Sequence, residues 1–456
     1  MGDIVGILAG IVGEGHVLTG EAISPDYTHD ECLTVAPVVP LAVVRPGSTA
    51  EVAAVVRAAA EAGVGVTARG SATGMSGACV ADAEGITVSF ERMNAIVEID
   101  LENHVAVVQP GVTLEELDRA TAEHDLVYPV FPGENSASLG GNVATNAGGM
   151  RAVKYGVTRS QVLGLEVVLA SGEVIRTGGR YPKSSSGYDL TQLLVGSEGT
   201  LALTTEIILK LHPRLPHRAT LLAPFETLGE VTRAVPRIVG SGIGPMVLEY
   251  LDLLAMAGAT AAAELDLGIP AVVRDAALAY LVVVLEGTHE DRVEQDVEAA
   301  GELLSELGAM DVYVLPPGAA EELITARERA FFVAKAHGAD DIVDVVIPRA
   351  AIPEYLEGVA EVARKHGALV AGCGHVGDGN VHLSVFQPDP ELRHEVMAAI
   401  FRSGMELGGA ISGEHGLGRA KQEYFLELED PVKIALLGRI KTAFDPQGLL
   451  APGLAF

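Results

Sequence analysis

Apolar residues in the first half of the chain alternate between helical and strand spacing. Ser48 and Glu51 form a capping-box pattern, apolar residues follow at helical spacing, and Gly63 ends the run, so a helix is predicted between them. Thr113 begins a second helix with the same pattern. Short β-branched runs predict strands at residues 64–68, 86–89, 96–99, 105–109, 165–170, 174–177 and 201–209.

The second half repeats a strand–helix–strand pattern. A polar segment with two prolines, residues 211–216, separates the halves and is predicted to be a domain boundary. Beyond it, one unit comprises residues 281–286, 290–307 and 312–315, and another comprises 342–347, 353–366 and 368–372. Such units predict an α+β domain with helices on one face of a largely antiparallel sheet.

Composition and charge narrow the class of protein. The 456 residues include 61 acidic and 31 basic side chains, a net charge of −30, which disfavours nucleic acid and anionic lipid as partners. Three distant cysteines argue against a disulfide framework and favour a reducing cytoplasm. Signal-peptide features and long apolar runs are absent from the sequence, so we predict neither a leader nor a membrane span.

Three glycine-bearing segments are candidate ligand loops. Residues 69–77 follow a predicted strand and carry serine, threonine and glycine, whose hydroxyl and N–H groups can converge on a phosphate; an ordinary tight loop is the alternative. Residues 132–149 carry little side-chain bulk, which suits contact with a large planar ligand. Residues 196–200 form the third segment. None contains a Walker A motif or a dinucleotide fingerprint that opens a helix.

In this order and spacing, the three segments resemble the FAD-binding domain of the vanillyl-alcohol-oxidase and p-cresol-methylhydroxylase superfamily. The resemblance implies a two-part FAD-binding domain at residues 1–214 and 425–456, and a substrate or cap domain at 215–424 with an antiparallel sheet. It implies non-covalent FAD, since the first loop lacks the histidine that some members attach to the flavin. The implied cofactor-binding residues are Arg69, Gly70, Ser71, Ala72, Thr73, Gly74, Ser76, Pro132, Gly133, Ser138, Gly140, Gly141, Asn142, Ala144, Thr145, Asn146, Gly149, Glu198, Gly199 and Ile208.

Two histidines flank a predicted hairpin turn. If Asp378 and Gly379 form a two-residue turn, His375 faces His382, and facing residues hold their Cβ atoms about 4.5–5.5 Å apart. Two such imidazoles can share a metal ion, although a solvated hairpin is the alternative. In the segment 412–418, extended backbone would direct Glu414 and His415 to opposite faces, so that one reaches the metal and the other the substrate. A solvated glycine-rich turn is again the alternative.

Both motifs resemble those of FAD-linked D-2-hydroxyacid dehydrogenases, a branch that includes D-lactate dehydrogenases, the flavin subunit of glycolate oxidase and D-2-hydroxyglutarate dehydrogenases. The resemblance implies a zinc or manganese ion on His375, His382 and Glu414, with His415 as the catalytic base. It implies that Arg327 holds the substrate carboxylate, with Arg329 as a competing candidate. Four positions depart from the branch: Ile324, Ile342, Ser384 and Ala451. Ile342 and Ser384 replace a lysine and an asparagine of the hydroxyglutarate enzymes and therefore favour a small monocarboxylate.

The resemblance implies oxidation of a small D-2-hydroxy acid, such as D-lactate or glycolate, to the 2-keto acid. Electrons would pass to a quinone, a cytochrome or an iron–sulfur partner subunit. The expected protein is cytoplasmic, with a homodimer as one assembly and attachment to the inner membrane through a partner as an alternative location. The alternatives are a D-2-hydroxyglutarate or larger 2-hydroxyacid dehydrogenase, an aryl-alcohol enzyme, and a non-catalytic flavoprotein subunit. The charge of −30 opposes an anionic substrate, so the metal and Arg327 would have to capture it locally.

Overall fold

The computed structural model describes residues 4–454, so residues 1–3 and 455–456 of the predicted domains lie outside it. It contains a four-stranded, a five-stranded, a two-stranded and a seven-stranded sheet with helices around them, which confirms the predicted α+β class. Within this part of the chain, no helix combines the length and apolar character that a membrane span needs.

The four-stranded sheet has the order β1-β2-β4-β3, in which β2, β4 and β3 are parallel. As predicted, the Ser48 side chain accepts a hydrogen bond from the Glu51 backbone and Gly63 ends α2 in the left-handed conformation. The Glu51 carboxylate, however, accepts from Gly47. The elements are α1 Ile4–Val12, β1 Val17–Leu18, β2 Ala42–Val44, α2 Thr49–Ala62, β3 Val66–Arg69 and β4 Ile86–Ser89, with 3-10 turns at Glu14–His16, Gly20–Ala22 and Pro25–Thr28.

The five-stranded sheet has the order β5-β6-β10-β8-β9, and all of its pairs are antiparallel. The predicted capping box at Thr113 is present at the start of α3. The elements are β5 Ile96–Asp100, β6 Val105–Val108, α3 Leu114–Ala122, β7 Leu126–Val127, α4 Leu139–Thr145, α5 Ala152–Tyr155, α6 Thr158–Gln161, β8 Val162–Leu169, β9 Val174–Gly178, α7 Leu190–Leu194, β10 Ala202–Lys210 and β11 His212–Pro213, which pairs with β7.

The seven-stranded sheet is antiparallel throughout, in the order β15-β12-β14-β13-β17-β18-β16. Its elements are β12 His217–Phe225, α8 Leu228–Gly240, β13 Val247–Asp252, α9 Leu253–Ala262, α10 Ala271–Arg274, β14 Ala279–Gly287, α11 Glu290–Glu306, β15 Tyr313–Leu315, α12 Pro317–Glu328, α13 Ala330–Ala336, β16 Asp341–Val346, α14 Ile352–His366, β17 Leu369–Gly374, β18 Asn380–Phe386 and α15 Pro390–Glu406, with a 3-10 turn at Arg349–Ala351.

Helices cover both faces of this sheet, so the prediction of helices on one face was wrong. Along β14, Leu281 and Val283 pack into one apolar cluster with α8, α11, α14 and α15. The alternate residues Val282 and Val284 pack into a second cluster with α9 and α12. Because β14 is apolar at successive positions, each of its faces has to be covered.

The C-terminal segment packs against the N-terminal sheet. Helices α16 Gly418–Leu428 and α17 Pro431–Phe444 follow the seven-stranded sheet, and the chain then runs beside β3. The Val66 N–H donates to the carbonyl of Leu449, and the Ala451 N–H donates to the carbonyl of Val66. Lys441 also donates to the carbonyl of Thr200, 2.8 Å away. These contacts cover the free edge of β3 next to the first glycine loop.

Candidate active site

The first two glycine loops and residues 197–199 enclose one elongated cavity. Close packing of the loops depends on Gly70, since a Cβ at that position would lie 2.0 Å from the Ser138 hydroxyl oxygen. The Asp30 carboxylate fixes the first loop by accepting from the backbone of Gly77 at 2.9 Å. The predicted residues that line the cavity are Arg69, Gly70, Ser71, Ala72, Thr73, Gly74, Ser76, Pro132, Ser138, Gly140, Gly141, Asn142, Ala144, Thr145, Glu198 and Gly199.

The polar groups of this cavity suit FAD. The Asn142 side chain is 4% exposed, and its Nδ2 has no hydrogen-bond partner among the described residues. A buried donor without a partner is costly, so a ligand atom in the cavity would satisfy it. The glycine-rich backbone gives a long polar ligand close access. Both observations fit a dinucleotide cofactor.

Four predicted cofactor residues lie elsewhere. Asn146 ends α4 with φ +57°, and its Oδ1 accepts from the backbone of Arg159. Gly149 lies where a Cβ would come within 1.9 Å of the Phe131 carbonyl oxygen, so it permits a close chain crossing. Ile208 pairs within the five-stranded sheet, and Gly133 lines a second, neighbouring cavity. None of these four residues lines the cavity between the glycine loops.

The two histidines meet through a different register from the one predicted. Strand β17 ends at Gly374 and β18 begins at Asn380, so five residues join them instead of two. Cys373, and not His375, pairs with His382. His375 therefore lies just beyond its strand, and its ring still meets that of His382 edge-on, with 4.8 Å between centroids.

Both histidines direct Nε2 toward one oxygen of Glu414. Oε1 of Glu414 lies 3.1 Å from Nε2 of His375 and 3.2 Å from Nε2 of His382. The donor atoms of the three residues lie within 4.8 Å of one another. A tetrahedral Zn²⁺ with bonds of 2.0–2.1 Å would separate its ligand atoms by roughly 3.3 Å. The three side chains can therefore hold a divalent cation.

Glu414 and His415 lie on a tight turn, so the prediction of extended backbone was wrong. The N–H groups of Gly413, Glu414 and His415 all donate to Oδ2 of Asp344, at 2.8–3.1 Å. Successive N–H groups can converge on one oxygen only where the chain curls around it. The turn directs both side chains into the same region, where the His415 ring stacks on that of His382 with 5.1 Å between centroids.

A buried carboxylate lies behind each candidate metal histidine. Oε1 of Glu249 lies 2.6 Å from Nδ1 of His375, and Oδ1 of Asp344 lies 3.5 Å from Nδ1 of His382. Both acids are fully buried. Such carboxylates orient metal-binding imidazoles and raise their basicity. Burial opposes the ionisation of Glu249, but His375 and Arg327 hold its pKa below the ordinary value.

Sequence reasoning missed both carboxylates, although their strands carry a signal. Glu249 lies in Val-Leu-Glu-Tyr-Leu and Asp344 in Asp-Ile-Val-Asp-Val-Val, each an acid within an apolar strand. A charge in a buried strand is expensive unless it has partners. The position of Glu249 and Asp344, each as a single acid inside an apolar strand segment, was therefore a sequence signal for the site.

His415 is largely buried, with 14% of its side chain exposed, and resists protonation. Burial lowers its pKa to about 4, and this effect exceeds the opposing attraction of Asp344. Its Nδ1 lies 3.7 Å from Oδ2 of Asp344 and has no hydrogen-bond partner among the described residues. A buried, neutral imidazole beside a cavity can accept a proton from a bound molecule.

Arg327 supplies a buried cation beside the histidines. Its Nη2 lies 2.8 Å from Oε2 of Glu249, although the two are not aligned as a hydrogen bond, and its Nε also lacks a partner in the described chain. The neighbouring candidate Arg329 is exposed. Arg327 lines the second cavity, so its free N–H groups can receive a carboxylate there.

The cavity between the glycine loops, called the dinucleotide cavity, meets the second cavity at the histidine cluster, which consists of His375, His382 and His415. Both are lined by Met75, Pro132, Glu414 and His415. Glu198 fixes this junction, because its two carboxylate oxygens accept from the backbone of Leu417 at 2.8 Å and of Gly418 at 2.9 Å. A molecule in the second cavity therefore lies beside His415 and faces whatever fills the first.

The four departures from the family pattern occupy distinct environments. Ile342 and Ser384 line the second cavity. Ile324 packs, partly buried, against the core beneath α9 and α12. Ala451 has φ +45°, a conformation that asparagine adopts more readily than alanine, and its N–H is bound to Val66.

The chain matches two known families over most of its length. Residues 40–178 match a family described as "FAD binding domain", and residues 214–454 match one described as "FAD linked oxidases, C-terminal domain". An uncharacterized FAD-linked oxidoreductase of Mycobacterium tuberculosis is 56% identical over 456 residues, covering 100% of this chain and 99% of that protein. A D-lactate dehydrogenase of Anaerostipes hadrus is 37% identical over 451 residues, covering 96% of this chain and 94% of that protein.

The fold resembles that of a crystallised p-cresol methylhydroxylase with substrate bound. The TM-score is 0.79 at 20% identity, over 99% of this chain and 95% of the other. This likeness supports the architecture alone, whereas the family matches and the relatives extend along almost the whole sequence. The chain therefore belongs to the FAD-linked oxidases and is an FAD-linked oxidoreductase of the hydroxyacid dehydrogenase type.

Proposed function

We propose that this protein oxidises a D-2-hydroxy acid to the 2-keto acid, using non-covalent FAD and a divalent cation, zinc or manganese. The observation that carries the proposal is the junction of the two cavities. There His415 and Glu414 lie between the glycine-lined cavity and the cavity that contains Arg327. The D-lactate dehydrogenase relative supports the same substrate class.

The donor set fits the proposed cation. His375 and His382 offer Nε2 to the region around Glu414, and each turns Nδ1 toward a buried carboxylate. Burial works against a proton on His375, but Glu249 and Glu414 raise its pKa well above the ordinary value, so the site attracts positive charge. When bound, the cation supplies a Lewis acid that lowers the pKa of a hydroxyl group, and FAD supplies the hydride acceptor.

The protein's own side chains bind the substrate and move its proton. Arg327 forms an ion pair with Glu249 through Nη2 and offers Nε, which has no hydrogen-bond partner in the described chain, to the substrate carboxylate. Neutral His415 removes the hydroxyl proton through a ring nitrogen, as a general base. Asp344 holds the turn that places this ring.

The smallest candidate substrates are glycolate and D-lactate. Ile342 and Ser384 leave the second cavity without the side chains that the hydroxyglutarate enzymes carry there. We propose a non-nicotinamide electron acceptor, whether a quinone, a cytochrome or an iron–sulfur partner. A homodimer, and attachment to the inner membrane through a partner, belong to the same proposal.

The test replaces the proposed base. His415→Ala should retain FAD, measured by visible absorbance, and metal, measured by mass spectrometry, while anaerobic flavin reduction by D-lactate or glycolate slows by about 10²–10⁴-fold. The control is His289→Ala, which replaces an exposed histidine distant from His415 in the sequence. Its flavin should be reduced at the wild-type rate. Reduction of the His415 variant at the wild-type rate would refute the base assignment. Failure of every D-2-hydroxy acid to reduce the wild-type flavin would refute the proposed reaction.

A further inference from the structure

The sheet face that carries His382 changes from polar to apolar with distance from the histidine cluster. In the first row across β16, β18 and β17, Asp344 pairs with His382, which pairs with Cys373. Opposed residues share a face, and alternate residues along each strand stay on it. The second row is therefore Ile342, Ser384 and Ala371, and the third is Phe386 and Leu369.

These rows form one wall of the second cavity. Successive rows are two residues apart, or roughly 7 Å along the strands. The carboxylate and hydroxyl carbons of a 2-hydroxy acid would lie at the first row, beside His382 and Arg327. Anything attached to the hydroxyl carbon on the open side would extend toward Ala371 and Ser384, and then toward Phe386.

The facing wall is formed mostly by small apolar residues of two helices, with Leu254 and Phe331 as its larger members. Helix α9 contributes Ala257, Gly258 and Ala261, and α13 contributes Val333 and Ala334. The whole cavity between the helices and the sheet, including its histidine end, has a volume of about 550 Å³. A glycolate or lactate molecule occupies only the end of this space. At the far end, exposed Leu254 and Leu369 continue the apolar surface to solvent.

Away from the histidine end, the described lining of the same cavity contains no arginine or lysine, although His337 and the Ser384 hydroxyl belong to it. Arg327 is the one arginine or lysine among the described lining residues, and it lies at the histidine end. Glu328, next to Arg327 in the sequence, adds a carboxyl group to the lining and would repel an anion when it is ionised. A dicarboxylic hydroxy acid would place its distal carboxylate in a largely apolar setting without an arginine or lysine partner, which is unfavourable.

We propose that this cavity selects D-2-hydroxy acids with an apolar side chain of about three or more carbons, aliphatic or aromatic, over glycolate, D-lactate and dicarboxylates. The inference rests on the proposed function and adds its substrate class. The carboxylate and hydroxyl groups bind at the first row, and the apolar chain lies between the second and third rows and helices α9 and α13. Burial of each additional methylene removes apolar surface from water and strengthens binding.

A chain-length series tests this selectivity on the FAD- and metal-loaded enzyme. D-2-hydroxy acids from glycolate through D-2-hydroxyoctanoate, with D-phenyllactate and D-2-hydroxyglutarate, are compared by anaerobic flavin reduction. We expect the apparent Kd to fall about fourfold for each methylene added to the substrate, until its alkyl chain reaches the solvent end of the cavity at Leu254 and Leu369. Calorimetry with the matching 2-keto acids should show the same trend in Kd, with an increasingly negative heat-capacity change.

Two alanine substitutions fill the cavity and a third is their control. Ala371→Leu and Ala334→Leu place bulk in the sheet wall and in the helix wall, so they should weaken binding of the six- to eight-carbon acids at least tenfold more than binding of D-lactate. The control is Ala336→Leu, because Ala336 is exposed on the same helix as Ala334 and does not line the second cavity. It should change neither the Kd of the long-chain acids nor that of D-lactate. Because the first two variants lie on different walls, misfolding of one leaves the other as a test.

The outcomes separate this inference from the proposed function. Flavin reduction by glycolate or D-lactate with no gain from longer chains would overturn the apolar subsite and leave the proposed reaction intact. Tighter binding of D-2-hydroxyglutarate than of an unbranched acid of equal length would also overturn it. If no 2-hydroxy acid reduces the flavin, the proposed reaction itself is wrong, and the keto-acid calorimetry then decides whether the apolar subsite exists.

Discussion

Asp344 holds His415 by its backbone and lies behind its ring. Oδ2 of Asp344 is 2.8 Å from the His415 backbone nitrogen and 3.7 Å from Nδ1 of the ring. The same oxygen accepts from the Ser412 hydroxyl and from two further N–H groups, while Oδ1 accepts from Nδ2 of Asn380. Both oxygens of this carboxylate thus accept hydrogen bonds. One buried side chain fixes the geometry of the base and of the adjoining Glu414.

Asp344→Asn should disrupt the site more than its small change in shape suggests. An amide group must present N–H₂ either to the turn or to Asn380, so donors face each other in both orientations. We expect metal affinity and the rate of flavin reduction to fall by about 10–100-fold each. Loss of a charged acceptor should lower the free energy of unfolding by about 1.5–3 kcal/mol.

Titration with a metal chelator, stopped-flow reduction and urea denaturation measure these three effects. Asp340→Asn is the matched control, because Asp340 lies just before the same strand, and an asparagine there can still accept from the Gln387 backbone. Wild-type metal affinity in the Asp344 variant would show that the carboxylate is not required to place the metal residues.

Arg327→Lys should weaken substrate binding, although the charge is retained. A lysine ammonium cannot reproduce two adjacent N–H donors that face a carboxylate. We expect the apparent Kd for the 2-hydroxy acid to rise by roughly tenfold to 100-fold, corresponding to about 1.4–2.7 kcal/mol. Arg329→Lys, two residues away and exposed, is the control and should change the Kd little. A large rise in Kd for Arg329→Lys with little change for Arg327→Lys would show that Arg329, and not Arg327, binds the substrate carboxylate.

Gly70→Ala should prevent FAD binding, and removal of one hydroxyl should partly restore it. The added Cβ would lie 2.0 Å from Oγ of Ser138, whereas the Ser138 Cβ is 3.2 Å away. The double variant Gly70→Ala/Ser138→Ala removes the severe clash and leaves a contact that a shift of a few tenths of an ångström can relieve. The flavin-to-protein absorbance ratio measures both variants. Ser138→Ala alone controls for the lost hydroxyl, and equal FAD loss in the single and double variants would contradict this steric explanation.

Sequence patterns predicted many helices and strands, because a few neighbouring residues determine where these elements begin and end. The strand predicted at 86–89 is β4, and the helices after Ser48 and Thr113 begin at those caps. The histidine register was wrong, since a five-residue connection replaces the expected turn and strand pairing over β17 and β18 decides which residues face each other. Sequence motifs nevertheless identified His375 and His382, which the structure brings together.

The residues that sequence reasoning missed act over long sequence separations. Glu249 contacts His375 across 126 positions, and Asp344 contacts the backbone of His415 across 71. Neither motif contains its supporting acid, so only the order of strands in the seven-stranded sheet brings them together. Helices on both faces of that sheet escaped prediction for a related reason, because a run of valines predicts a buried strand without indicating what covers each side.

Glu328 should make substrate binding depend on pH. It lines the second cavity, and burial raises the pKa of its carboxyl to about 7, against the opposing attraction of Arg151, Arg327 and Arg329. Below pH 7 the side chain is neutral, and above pH 7 it adds a negative charge near an anionic ligand. The Kd of a 2-hydroxy acid should therefore rise with pH through about 7, by about fivefold for a repulsion on the order of 1 kcal/mol.

Glu328→Gln removes this ionisation and should flatten the dependence of Kd on pH, whereas Glu322→Gln, exposed on the same helix, should leave that dependence unchanged.

The pH dependence of the free energy of unfolding is a second test of the Glu328 pKa. Because the folded-state pKa lies above the ordinary value of 4.5, the unfolded chain releases its proton first, and the free energy of unfolding falls as pH rises from 4.5 to about 7. The glutamine variant should lose that slope in urea denaturation. A slope that survives in this variant would assign it to another group, and an unchanged binding profile would show that Glu328 does not sense the substrate charge.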